Sequence, residues 1–315
     1  MVESILPHIK AGSSIGITPP RLRFYKWEKS PALPVEFSGA AYRFGHTMVR
    51  PQYRLSSSNH IGLNGRLPVF QPPVSGPGLN GFDEVPLEFG IQWPLFFETN
   101  GRKLEDHNTG PERIQPAYKI DTSLVFPLMK LPEFSDSVGN PKPLTAVNIL
   151  ALRNLRRGMM LSLPSGQAVA QAKGEVPLND KELLVGKADA ENFDEGTAKQ
   201  INDDNRTSMQ DSVPLWFYIL AEARHRWKLE AAKAIAAAGS IDEIKRKEII
   251  NRTPTRLGPV GGRIVAETLI GIALGDKSSF LNAHHTFTPS FGKTGVNCFD
   301  ALSVGDLTEY VQNKR

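Results

Sequence analysis

The chain holds one cysteine, Cys298. A lone thiol excludes an internal disulfide framework and leaves no cysteine-based metal cluster. No apolar run reaches the roughly eighteen uncharged residues that a membrane-spanning helix needs. Residues 1–11 lack both the basic start and the long apolar core of a signal peptide. The sequence therefore reads as soluble, with no transmembrane segment. There is no internal repeat, no pair of CxxC motifs, no HExxH and no GxxxxGK phosphate loop, so most common enzyme classes have no signature here. Charge of either sign is also scarce in excess: the formal net charge is +4, and no dense Lys/Arg run with interleaved aromatics occurs. Nucleic acid is not an expected partner.

What the chain does have is length and apolar content. Its 315 residues are 40% hydrophobic, enough to bury a sizeable core. With 27 glycines and 24 prolines, long irregular connections are expected between helices. Residues 51–143 are rich in Pro, Gly and Asn, with brief extended pieces predicted at 67–70 and 86–97. A helix is predicted over 145–158, with Thr145 as N-cap and Gly158 at its end. A short helix is expected at 180–184 within a polar connection. Pro214 opens and Gly239 closes a long helix that spaces Trp216, Leu220, Ala223, Trp227 and Ala231 along one core-facing stripe. Further helices are predicted at 241–251 and at 259–274, where Arg263 and Glu267 stand four apart and can pair. Short helices are expected at 4–10 and 304–313. Strands do not alternate with helices, which disfavours an α/β sheet.

The most informative stretch is 34–51, PVEFSGAAYRFGHTMVRP. Pro34 suits a helix start, Glu36 complements its positive end, and Pro51 stops it. One continuous helix is predicted, with Phe37, Ala40, Ala41, Phe44 and Met48 as its apolar stripe. Arg43, His46 and Arg50, at i, i+3 and i+7, then share the opposite face. A neutral imidazole between two cations could ligate the iron of an anionic cofactor. The same residues on a plain solvated face would look no different by spacing alone.

The run AAYRFGHTMVRP resembles the proximal-histidine helix of the animal-type haem peroxidases, a superfamily that also includes the cyclooxygenases. The resemblance implies haem b as cofactor, with His46 as the proximal iron ligand and Arg43 paired to a propionate. The run LALRNLRRGMMLSLPSG resembles the family segment whose asparagine accepts a hydrogen bond from that histidine. Aligned on Leu163-Pro164 it assigns the role to Asn154, with Arg153 as an extra residue before it. Asn154 otherwise faces solvent at a helix end. Arg156 or Arg157 would face the second propionate. The stretches SVPLWFYILAEA and RLGPVGGRIVAETLIGIALGD resemble C-terminal helices of bacterial members. Within the second, the Gly258–Gly262 run is read as a helix start and close-packing site rather than a phosphate cradle.

The expected fold is mainly α, a loop-rich haem-peroxidase-like helical domain, incomplete at the N-terminus. Residues 1–33 form a connector or tail, 34–275 the proximal and C-terminal portion of the domain, and 276–315 an extension. The expected activity is hydrogen-peroxide-dependent oxidation of small organic donors. That chemistry needs a distal base and a cation, which the family carries ahead of the proximal helix. There this chain has only His8, with no acid beside it. The opening ILPHI resembles a stretch lying downstream of the helix with the catalytic arginine, so the sequence reads as beginning partway through the domain. A distal half from another segment or chain is the corresponding partner. The alternative is a truncated, non-catalytic remnant acting as an interaction module. The family's calcium site and its ester-forming acids are not found. A fatty-acid dioxygenase is a weaker alternative: the oxygenases carry tyrosine three residues before the histidine, where this chain has Arg43. Tyr42 is one position off, about 100° round an α-helix.

Overall fold

The computed structural model describes residues 22–28, 31–57, 65–70, 78–79, 86–99, 113–135, 147–194, 199–200, 212–279 and 282. His8, the 4–10 and 304–313 helices, Thr145 and Cys298 lie outside these. The described chain is mainly α. Its six α-helices are α1 Val35–Gly39, α2 Leu150–Met160, α3 Gly166–Lys173, α4 Leu215–Ala238, α5 Glu243–Arg252 and α6 Pro259–Gly275. Short 3₁₀ helices join them, the longest being Ala41–Met48. The strands among the described residues make two antiparallel pairs. β1 (Gln52–Tyr53) sets Tyr53 against Leu67 of β2 (Leu67–Pro68), and β3 (Leu184–Val185) pairs with β4 (Lys199–Gln200).

Helix α4 is the axis of the fold. Residues 215–221 are apolar on every side, and Tyr218 to Arg224 are all buried, the charged Glu222 and Arg224 included, together with Leu215 and Trp216. A helix hydrophobic all round must be packed all round. In the second half only Trp227 and Ala231 are buried, so the helix changes there from core to surface element. The predicted stripe of Trp216, Leu220, Ala223, Trp227 and Ala231 is buried throughout. Gly239, at φ 72°, ends the helix as its sequence position predicts.

Four α-helices pack on this axis, α2 among them. Helix α3 starts beside it: Gly166 N–H donates to the Val213 carbonyl at 2.8 Å, and Ser165 pairs with Pro214. Ser165 Oγ accepts from Ala168 N–H, and Gly174 closes α3 in the left-handed region. Helix α6 presents Gly261 to Ile219, and its first amides are capped from α4 itself. Val260 N–H donates to both carboxylate oxygens of Glu222 at 3.1 Å, and Gly261 N–H to Oε2 at 3.2 Å. The Gly258–Gly262 run is thus a packed helix start occupied by a protein carboxylate. Helix α5 seats Ile250 against Trp227 and Ala231, forming a second apolar cluster with Phe193 and Ala188.

Several expectations are corrected. The 34–51 stretch is not one helix: it breaks at Ala40 (φ −135°, ψ −65°) and continues as the 3₁₀ helix. Gly39 there lies so close to α2 that a β-carbon would stand 2.8 Å from Leu161 Cδ1. Beyond it Tyr42, Phe44, Gly45 and Thr47 are weak α-helix formers. The second predicted helix begins at Leu150 rather than 145 and runs past Gly158 to Met160, with Ile149 before it extended. Residues 180–184 form a turn entering β3, and 86–97 form two 3₁₀ turns, Leu87–Phe89 and Trp93–Leu95, in place of extended chain. No helix among the described residues is long and apolar enough to cross a membrane.

Candidate functional site

A 3₁₀ helix has three residues per turn, so positions i and i+3 lie directly above one another. Arg43 and His46 therefore share a face in the Ala41–Met48 helix, while Ala41 and Thr47 are buried on the opposite side and Phe44 packs against the core. Trp216 of α4 fixes the turn from below, its Nε1–H donating to the Arg43 carbonyl at 3.4 Å. Arg50 does not join them. Seven residues on in a 3₁₀ helix is about 120° away, and the helix has ended at Met48. Its guanidinium instead donates to the Pro116 carbonyl at 2.9 Å and lies 4.8 Å from the Tyr118 ring centre. Tyr42 is exposed and stacks on Phe37, with centroids 4.8 Å apart.

Asn154 is the one buried residue of α2, 1% exposed. It faces inward, not to solvent. Its Nδ2 lies 3.0 Å from His46 Nδ1, and its Oδ1 accepts from Arg43 Nη1 at 3.4 Å. A single buried amide thus joins the two residues of the neighbouring turn. With an NH₂ group facing Nδ1, that nitrogen accepts and the ring proton sits on Nε2. A half-turn of the amide would set Oδ1 against a protonated Nδ1 and leave the Nε2 lone pair open to a metal. It would also release Arg43 Nη1, whose Nε keeps its 3.0 Å bond to the Ser38 carbonyl. Burial, and then the Arg43 charge, hold the His46 pKa below the usual value, so the ring is neutral at pH 7.

Cations gather on the same side. Burial lowers the Arg43 pKa, and the charges of Arg157 and Arg153 lower it further. Arg157 is exposed and one turn from Asn154, and Arg156 is exposed as well. Arg153 lies 3.9 Å from the centre of the Phe134 ring and donates to the Val147 carbonyl at 3.3 Å. Among the described residues, no carboxylate pairs with Arg43, Arg153 or Arg157. The spacing of Arg153 and Arg157, four apart on a helix, was the available signal for including Arg153. Uncompensated guanidiniums beside a neutral, half-buried imidazole suit a planar, anionic, metal-bearing group. They do not suit a chelated metal ion: among the described residues no group of three His, Cys, Asp or Glu side chains could hold one. No protein-family model matches this chain, and no curated protein matches it.

Proposed function

We propose that this protein belongs to the animal-type haem peroxidases and binds haem b through His46. Hydrogen peroxide would serve as oxidant and small organic molecules as donors. The observation that carries the reading is the Asn154 amide held between His46 Nδ1 and Arg43. With that amide turned so that its Oδ1 accepts from Nδ1–H, it would orient a ligating imidazole, raise its basicity and leave the Nε2 lone pair for iron. Such a partner is superfluous for a surface histidine. In this reading His46 Nε2 would hold the iron, Arg43 and Arg157 would neutralise the propionates, and Arg153 would add to their field. Bound haem would supply the redox chemistry. The residues named here account for the proximal side alone.

Titrating the chain with haemin and following the Soret band tests the reading. A saturable shift is expected in the wild type. His46→Ala should lose it while keeping its circular dichroism spectrum, and Arg43→Ala should weaken it a few-fold. Equal uptake by wild type and His46→Ala would refute the ligand role. Absence of any shift in the wild type would leave Arg43, Asn154 and His46 as a structural tie between two helices, the interaction-module alternative.

A further inference from the structure

Away from the His46 site, α3, the middle of α6, residues 22–28 and the start of α1 line a half-open cavity of about 320 Å³. That size is at the lower end of small-molecule sites, roughly 300–1,000 Å³. Its walls are largely apolar, with Tyr25, Val169 and Ile264 among them. The charged groups on the walls are not equivalent. Glu267, 2% exposed, is fully engaged: Oε2 accepts from Phe24 N–H at 2.8 Å and Tyr25 N–H at 3.1 Å, and Oε1 from Arg263 Nη1 at 3.1 Å. Arg263 is thereby taken.

Lys173 is not. It is 8% exposed, lines the cavity, and holds its ammonium 4.1 Å from the centre of the Phe24 ring. It forms no ion pair or side-chain hydrogen bond among the described residues. An ammonium has three donors and no acceptor. Its Nζ is not wholly shut off from solvent, but burial of the side chain strips part of its hydration, which a cation–π contact only partly offsets. Burial holds the Lys173 pKa below its usual value, with the Glu267 charge opposing. A ligand that supplied an acceptor would complete the site.

From an unpartnered ammonium on an apolar cavity, we infer that the cavity binds an amphipathic monocarboxylate. Its carboxylate would sit on Lys173 and its tail along Tyr25, Val169 and Ile264. A dianionic phosphate fits less well, because Glu36 and Glu267 also face this space and Arg263 is already paired. The site is separate from His46, and its test needs no haemin.

Isothermal titration of the full chain with octanoate, and with octanol as its neutral counterpart, reads the proposal. Octanoate should bind saturably at one site, with octanol about tenfold weaker, the scale of a hydrogen bond to a charged group. Lys173→Met should weaken octanoate about tenfold and leave octanol unchanged, whereas Lys173→Arg should stay within a few-fold of wild type. Ala168 is exposed at the cavity rim on α3. Ala168→Phe should block the mouth and abolish binding of both probes without touching the ammonium, so it decides the matter if Lys173→Met fails to fold. Equal affinity for octanol and octanoate, undiminished binding by folded Lys173→Met, or no saturable heat up to about 10 mM, a concentration above ordinary ligand affinities, would overturn it.

Discussion

Asn154 couples three of the four residues singled out for haem, so its substitution reads their arrangement directly. Asn154→Ala leaves His46 Nδ1 and Arg43 Nη1 facing a void, and should destabilise the fold by roughly 1–3 kcal/mol, the penalty of unsatisfied buried groups. Haem affinity should fall by about 10- to 100-fold, as when a metal ligand loses its supporting partner. Asn154→Asp separates the electrostatic from the steric contribution. A carboxylate there faces His46 and Arg43 within the field of Arg153 and Arg157. It should raise the His46 pKa, and an NMR titration of the ring that shows no upward shift would remove Asn154 from contact with His46. The wild-type sign is opposite. A base whose folded pKa lies below its unfolded value of 6.5 adds stability that is present above pH 6.5 and lost as pH falls through the folded pKa. Haem binding by His46 should accordingly hold level from pH 8 through 6.5 and weaken only in more acid solution. Absorbance titrations at stepped pH check this. Spacing alone left His46 open to either a ligand or a solvated role, and only the second segment, 111 residues further on for Arg43 and Asn154, brings a partner to it.

At the scale of elements, helix crossings rest on close approach. A β-carbon on Gly166 would stand 2.0 Å from Tyr218 Cγ, whereas one on Gly45 would meet nothing within 4 Å. Gly166→Ala should therefore destabilise by about 2 kcal/mol or more through overpacking at the α3–α4 contact. Gly45→Ala should be neutral to stabilising within about 1 kcal/mol. Chemical denaturation of the two variants side by side tests the contrast. Glu222 supplies a pH dependence of the same contact class. Desolvation outweighs its bonds to Val260 and Gly261 and pushes its pKa up to about 7. An acid raised in the folded state contributes stability that is full below its unfolded pKa near 4.5 and is lost as pH rises through about 7. Glu222→Gln cannot ionise, so its melting temperature should improve relative to wild type between pH 5 and 8; parallel curves would mean the carboxyl is not destabilised by burial. Elements with local punctuation were legible in the sequence: Pro214 and Gly239 bracket α4, Asp242 caps α5, and Pro259 opens α6. Helix α3 was not, although Ser165 and Gly174 bracket it. Its buried face is Gly166, Gln167, Val169, Ala170 and Lys173, a set with little apolar contrast. A 3₁₀ helix and an α-helix both place Arg43 and His46 on one face, and only Arg50 tells them apart.

Across the whole molecule the chain is tied by buried carboxylates whose partners are far away in sequence. Asp121 accepts from Ala188 N–H at 2.9 Å beside the buried Arg224, which donates to the Asn192 carbonyl at 2.8 Å. Lys119 donates to the Ile250 carbonyl at 3.0 Å over the Trp227 ring. These bonds dock 113–122 onto α4, α5 and the 186–193 turn. Glu267 does the same at the other side, where the sequence foretold its pairing with Arg263 but not with Phe24, 243 residues away. Four-residue spacing is local and readable, whereas a backbone amide brought in by tertiary packing carries no pattern. That difference allows a test. Glu267→Ala leaves Arg263 and two backbone amides without their acceptor and should destabilise by roughly 3–5 kcal/mol, as for a broken buried pair. Glu267→Gln retains an acceptor and should recover much of it. Native-state hydrogen exchange should show the Phe24 and Tyr25 amides losing protection in Glu267→Ala, ahead of the α4 core around Tyr218 and Leu220, because segment 22–28 would be released as a local unit. If those amides instead exchange together with the core, this carboxylate holds the global fold and not the strap alone. If they stay protected, the strap is held by the packing of Tyr25 on Gly271 and not by Glu267.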